Sequence, residues 1–148
     1  MIAKLNGIID EIGTDQVILL VGGVGYAVQL SERTLALCTR LEPQSFHIEM
    51  RMAEDHITLY GFTSGEEKKW FQLLQSVQGV GGRVAMAILG AMAPSDLQQA
   101  ILAGDSKTLT RANGVGAKLA SRLINELKDK VFTIALPPDD RPAAPIMS

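Results

Sequence analysis

The chain has 148 residues, 47 % of them hydrophobic, and its 14 basic and 16 acidic side chains leave a net charge of −2. That length holds one ordinary domain or two small ones, and the longest apolar runs, such as Val17 to Val21, are far too short to cross a bilayer. A single cysteine, Cys38, excludes an internal disulfide and, with only His47 and His56 beside it, makes a poor zinc set. No metal or cofactor is therefore expected. No basic start leads into an apolar stretch and cleavage site, so the expected setting is reducing and cytoplasmic, without a membrane partner.

Residues 1–62 predict a compact β domain. Ile2 to Ile12 reads as largely extended, with a bend or bulge at Gly7. Gln16 to Val21 follows the Gly13-Thr14-Asp15 turn as a second strand. Val24 to Leu30 follows Gly22-Gly23 as a third, its Val24, Tyr26, Val28 and Leu30 alternating with smaller or polar residues. Ser31 is placed to cap a short helix reaching about Cys38. Phe46, Ile48 and Met50 mark a fourth strand, and Ile57, Leu59 and Gly61 a fifth, joined by the tip Met52-Ala53-Glu54-Asp55-His56. Short strands with a small helix between the third and fourth predict a closed or nearly closed barrel of the OB type.

After Phe62 the period changes from two to that of a helix. Ser64 with Glu67 is a capping-box pattern, opening a helix that places Trp70, Leu73, Leu74 and Val77 on one side. Gly81 to Met92 carries the next stripe. Pro94 suits a first turn, with the Ser95-to-Gln98 spacing as a second capping pattern for a helix through about Ala103. A short helix from about Asp105 to Ala112 and a last one through Leu127, ending at Lys128 and Lys130, complete an all-helical unit over residues 63–132. Residues 133–148, rich in proline from Leu136 onward, read as a flexible linker or tail. The fold class is α+β in two domains, a barrel followed by helices.

The helical half repeats itself at an offset of 35 residues: Gln78-Gly79-Val80-Gly81-Gly82-Arg83-Val84-Ala85 aligns with Asn113-Gly114-Val115-Gly116-Ala117-Lys118-Leu119-Ala120. In each copy the glycines permit a sharp turn and close backbone approach, the central valine points inward, and the helix start behind them leaves amides open for a phosphate oxygen. Arg83 and Lys118 stand where a cation would add to that contact, with Arg122 one turn beyond Lys118. The charge distribution agrees, because residues 1–62 carry four basic and eight acidic side chains and residues 63–130 nine basic and six acidic. One G-x-G between helices is ordinarily just a turn, and a dinucleotide fingerprint needs a strand before its glycines. The duplication is what points to paired phosphate binding, by tandem helix-hairpin-helix motifs that hold duplex DNA through its backbone without reading bases.

Two other classes fit the sequence less well. A helix-hairpin-helix nuclease needs several carboxylates converging on a metal, whereas Glu54 and Asp55 are neighbours on one turn. A glycosylase needs a base pocket, which the sparse aromatics do not suggest. No G-x-x-x-x-G-K-[ST] loop occurs, so any ATPase activity belongs to a partner. A generic protein-interaction module with purely structural hairpins is the plainest alternative.

The sequence also resembles the RuvA family of Holliday-junction-recognition subunits. The resemblance is carried by Met1-Ile2-Ala3-Lys4-Leu5-Asn6-Gly7, Val21-Gly22-Gly23-Val24-Gly25-Tyr26, Leu59-Tyr60-Gly61-Phe62, Phe71, Leu74 and the two hairpins, over residues 1 to about 132. It implies a non-catalytic tetramer, or two tetramers face to face, that binds four-way DNA junctions in recombination and repair. The implied duplex contacts are Gly79, Gly81, Gly82, Arg83, Gly114, Gly116, Ala117, Lys118 and Arg122. The family's acidic pin corresponds to Glu54 and Asp55, with Ala53 where many members carry a basic residue. Implied partners are the ATP-driven RuvB motor, reached in the family through a third helical domain beyond the linker, and the RuvC resolvase. Because the sequence stops in the linker, weak coupling to the motor is expected.

Overall fold

The computed structural model describes residues 1–134; the proline-rich segment predicted as a linker lies outside the described residues. Five strands, β1 (Lys4–Ile12), β2 (Gln16–Val21), β3 (Val24–Gln29), β4 (Pro43–Met52) and β5 (Ile57–Phe62), close into a barrel in the order β1-β2-β3-β5-β4. The alternation that predicted the strands also fills the barrel: Ile9, Val17, Leu19, Val28, Phe46 and Ile48 are all but fully buried inside it. Every pair is antiparallel except β3 with β5, where Val28 faces Leu59 and Gln29 faces Tyr60. A parallel pair needs a crossover. Helix α1 (Glu32–Leu35) and strand β4 supply it.

Two local expectations move. The β1 irregularity falls between Ile9 and Glu11, not at Gly7. Gly7 marks close approach instead, since a Cβ there would come within 2.8 Å of the Val21 side chain and closer still to the Leu20 carbonyl. The Ser31 side chain does cap α1, accepting from Thr34 N at 3.2 Å, but the helix stops at Leu35 rather than Cys38. Leu37 N and Cys38 N bond three residues back, to Thr34 and Leu35, so the last turn tightens and leaves the α-helical path.

Five helices follow: α2 (Gly65–Gln75), α3 (Gly82–Ala91), α4 (Pro94–Ala103), α5 (Ser106–Leu109) and α6 (Ala117–Leu127), then a single 3-10 turn at Val131–Thr133. The Ser64 cap forms as expected, with Glu67 N donating to Ser64 Oγ at 3.1 Å, while the Glu67 side chain reaches one residue past the cap and accepts from Thr63 N at 3.4 Å. The Ser95 cap does not form. Helix α4 begins earlier, at Pro94 with Ala93 as the residue before it and no side-chain cap, because proline at the first position has no amide to satisfy. Asp105, by contrast, caps α5 by accepting from Thr108 N at 3.2 Å; the Thr108 hydroxyl, donating to its other oxygen, and then that amide hold its carboxyl below the usual range.

Strand β5 joins the two halves. Leu59 and Gly61 point into the barrel, while Tyr60 and Phe62 point outward onto α2, with ring centroids 4.8 and 5.1 Å from that of Phe71. Trp70, Phe71 and Leu74 are fully buried around them, and each such side chain contributes about 1.5–3 kcal/mol by leaving water. Helix α3 lies against the barrel along Gly82, Met86 and Gly90. A Cβ on Gly82 would overlap the Tyr60 hydroxyl, and one on Gly90 would come within 3.0 Å of Glu32 N. Missing side chains at these two positions let the helix approach that closely.

Candidate nucleic-acid interface

The two hairpins have the same conformation, and their four glycines divide into two kinds. Gly79 and Gly114 have φ of 97° and 89°, a region that L side chains rarely adopt, so the turn itself demands them. Gly81 and Gly116 lie in ordinary extended backbone at φ −92°, and a Cβ on either would meet nothing within 4 Å. Folding gives no reason for glycine at these two places. Bare backbone there leaves clearance for a ligand to come close to the helix starts behind them.

Those starts are open. Gly81 and Gly116 precede α3 and α6 without any side-chain cap. The first amides taken up are Ala85 N, by the Gly81 carbonyl at 3.0 Å, and Ala120 N, by the Gly116 carbonyl at 2.9 Å. The amides of residues 82–84 and 117–119 precede those and have no partner within the helix, so each hairpin presents donors and the positive end of a helix dipole together. Val80 and Val115, 6 % and 5 % exposed, pin the turns to the core as the repeat predicts.

The pairing is reciprocal. A Cβ added at Gly79 would lie 3.4 Å from Leu119 of α6, and one at Gly114 3.2 Å from Val84 of α3, where Val84 and Leu119 are themselves equivalent in the repeat. Each hairpin therefore rests on the other's helix, which brings the two helix starts together in a pseudo-twofold arrangement. Arg83, Lys118 and Arg122 are all exposed on this side. Arg122 is also engaged, its Nη1 donating to the Gln78 carbonyl at 3.2 Å and tying α6 to the first hairpin. Gly82 and Ala117 occupy equivalent first helical positions, but Gly82 owes its missing side chain to Tyr60, as described above.

Glu54 and Asp55 lie where the sequence places them, exposed in the turn between β4 and β5 that Ala53 N closes by bonding the His56 carbonyl at 2.8 Å. Asp55 Oδ1 contacts His56 Nδ1 at 2.8 Å, and among the described residues Glu54 has no such neighbour. The sequence did not reveal Tyr60 as a seam residue, nor Arg51, which pairs with Glu49 at 3.1 Å and lies 6.0 Å above the Phe71 ring. Burial raises the Tyr60 hydroxyl pKa, opposed by Arg51 and Arg83 nearby. Burial also pushes the Cys38 thiol up, the opposite of an activated nucleophile. Among the described residues, no group of three or more His, Cys, Asp or Glu is placed to hold a metal ion, and no helix is long and apolar enough to cross a membrane.

A small closed barrel carrying paired hairpins with uncapped helix starts defines the class: a tandem helix-hairpin-helix protein built on an OB-like barrel. Family models agree, with the RuvA N terminal domain matching residues 1–61 and the SAM-like Helix-hairpin-helix tandem matching residues 71–129. The chain is 49 % identical to the Holliday junction branch migration complex subunit RuvA of Azorhizobium caulinodans, over 99 % of this chain and 72 % of that protein. It is 52 % identical to the subunit of the same name from Novosphingobium aromaticivorans and 50 % identical to that from Rhodospirillum centenum, covering 67 % of each. The chain belongs to the RuvA family.

Proposed function

We propose that this chain is a non-catalytic DNA-binding subunit that recognises four-way junctions and supports branch migration in recombination and repair. The observation that carries the reading is the reciprocal pair of hairpins. Two open helix starts, each flanked by a glycine that folding does not require, suit two phosphate backbones held without base readout. The contacts belong to Gly79, Gly81, Gly82, Arg83, Gly114, Gly116, Ala117, Lys118 and Arg122.

The exposed Glu54-Asp55 turn supplies selectivity. In a tetramer the turn recurs four times around the centre, where converging phosphates would meet like charge. That repulsion separates strands at the crossover and disfavours a continuous duplex. Oligomeric assembly comes with the family; whether the assembly is one tetramer or two face to face, and the RuvB motor and RuvC resolvase as partners, are further parts of this reading.

The test is competition between a four-way junction and a duplex of the same sequence. The native chain is expected to prefer the junction, and Glu54→Gln with Asp55→Asn is expected to tighten duplex binding and narrow that preference. An unchanged junction-to-duplex ratio after the double substitution would refute the role of the acidic turn. DNA cleavage or base loss in the presence of Mg²⁺ would refute the non-catalytic reading.

A further inference from the structure

The two halves of the helical repeat are alike in their hairpins and unlike in the helix faces behind them. At the offset of 35 residues, Arg122, Asn125 and Glu126 of α6 correspond to Ala87, Gly90 and Ala91 of α3. On α6 the large polar side chains are exposed and Arg122 caps the Gln78 carbonyl of the first hairpin. On α3 the small residues line a cleft beside the barrel, and by the repeat Ala87 holds the place from which an arginine would reach the carbonyl of Asn113, the equivalent of Gln78. The space so left is part of a cleft of about 540 Å³ between α3, the second hairpin and the barrel.

The cleft has a direction. The start of α3 lies over Tyr60, and its end lies over Glu32. Arg83 therefore stands at the β5 end of the cleft and Glu32 at the other. Arg111 and Asn113, from the turn that enters the second hairpin, also line the cleft, as does His56, the residue that closes the acidic turn. Asp15, in the β1–β2 turn beside Gln29 and Leu30, is the second carboxylate on its walls. Arg83 and Arg111 are exposed, and among the described residues neither makes a salt bridge, although Arg111 stands near enough to Asp105, and Arg83 to Tyr60, to act on them electrostatically. The cleft is thus lined by two exposed guanidiniums with hydrogen-bonding neighbours, and it adjoins the hairpin surface and the acidic turn.

We infer that this cleft binds the sugar–phosphate backbone of a single DNA strand as it leaves the duplex at the crossover, with Arg111 and Arg83 holding a phosphodiester and Asn113 beside them. Its volume is in the range of about 300–1,000 Å³ typical of clefts that enclose one small ligand, room for a nucleotide-sized group and too little for a duplex. A positively charged groove that tracks a backbone is how single strands are held without sequence preference. The carboxylates of Glu32 and Asp15 stop the path at the far end by repelling further phosphates. This inference rests on the junction-binding reading above and adds a route: the acidic turn parts the strands, and the cleft receives one of them.

The experiment uses the 148-residue chain, a four-way junction carrying 2-aminopurine at the crossover, and a matching duplex. Arg111→Gln removes one cation, and Ala87→Gln fills the cleft with a neutral donor for the Asn113 carbonyl. Each is expected to lower junction affinity about tenfold, the scale of one charge-assisted hydrogen bond, with duplex affinity unchanged. Arg111→Gln should reduce the dependence of log K on log salt for the junction by about 0.7, the value for one single-strand phosphate. Both variants should lower the emission of the unstacked 2-aminopurine. Equal losses for junction and duplex, or no loss for either, would overturn the inference while leaving the hairpin contacts intact. A native chain that holds junction no better than duplex would overturn this inference and the reading beneath it together.

Discussion

Replacing Gly81 and Gly116 by serine separates folding from DNA binding, because the two are expected to move in opposite directions. Both positions have φ −92° with extended ψ, open space around a Cβ, and the place immediately before a helix. Serine adopts that conformation freely, and its hydroxyl accepts from an amide of the first turn. Relative to glycine it gains a few tenths of a kcal/mol as a cap and about 0.4–1 kcal/mol from a less flexible unfolded chain. The pair should therefore stabilise the protein by about 1–2 kcal/mol, a Tm rise of roughly 2–8 °C for a chain of this size. The same hydroxyl occupies an amide that a phosphate would use, and the added Cβ fills the clearance. One lost hydrogen bond to a charged phosphate per hairpin costs about 1.5–3 kcal/mol, or about 10- to 100-fold in affinity for each. Thermal unfolding and gel shift on a four-way junction read the two effects independently. A serine pair that melts higher and still binds the junction as tightly as the native chain would show that DNA does not touch the helix starts. Valine at Gly79 and Gly114 is a less clean probe, since positive φ there makes the turn itself fail at about 1–3 kcal/mol per site.

Two further outcomes follow from the seam between barrel and helices. Glu67 is 5 % exposed, and burial raises its pKa above the ordinary 4.5 although the Thr63 amide opposes this. The folded chain therefore binds more protons than the unfolded one between those two pKa values, and stability falls as pH rises through that window. Glu67→Gln, which keeps an acceptor for Thr63 N, is expected to raise Tm above the folded pKa, with the gain shrinking to nothing below pH 4.5; a gain that persists in acid would contradict the burial argument. Gly82→Ala should cost about 1–3 kcal/mol by overpacking against Tyr60, and Tyr60→Leu in the same chain should recover part of it. Additive losses in a double-mutant cycle would show that the two positions do not press on each other.

Much of the protein was legible in order along the chain. Strand alternation, the Ser31 and Ser64 caps, and the two glycine hairpins are local signals, decided within a few residues by backbone sterics and amide satisfaction. The misplaced bulge and the unformed Ser95 cap have the same origin. Gly7 and Ser95 carry local signals that neighbours override, the first a strand running close by and the second a proline that starts the helix two residues sooner. The repeat at 35 residues was visible as well, and with it the positions of Arg83, Lys118 and Arg122.

By itself the sequence determined that two glycine hairpins open onto helix starts and that an acidic tip accompanies them, because glycine conformation, helix starts and charge are properties of short segments. Tertiary structure alone decided what each residue is free to do. It showed that Gly82 is bare for the sake of Tyr60 while Gly81 is bare toward solvent, and that Arg122 is tied to Gln78 while Arg111 is exposed on the wall of a cleft. Those distinctions depend on contacts between segments about 20 to 60 residues apart, and no local pattern records which partner a side chain will meet when the barrel and the helices close on each other.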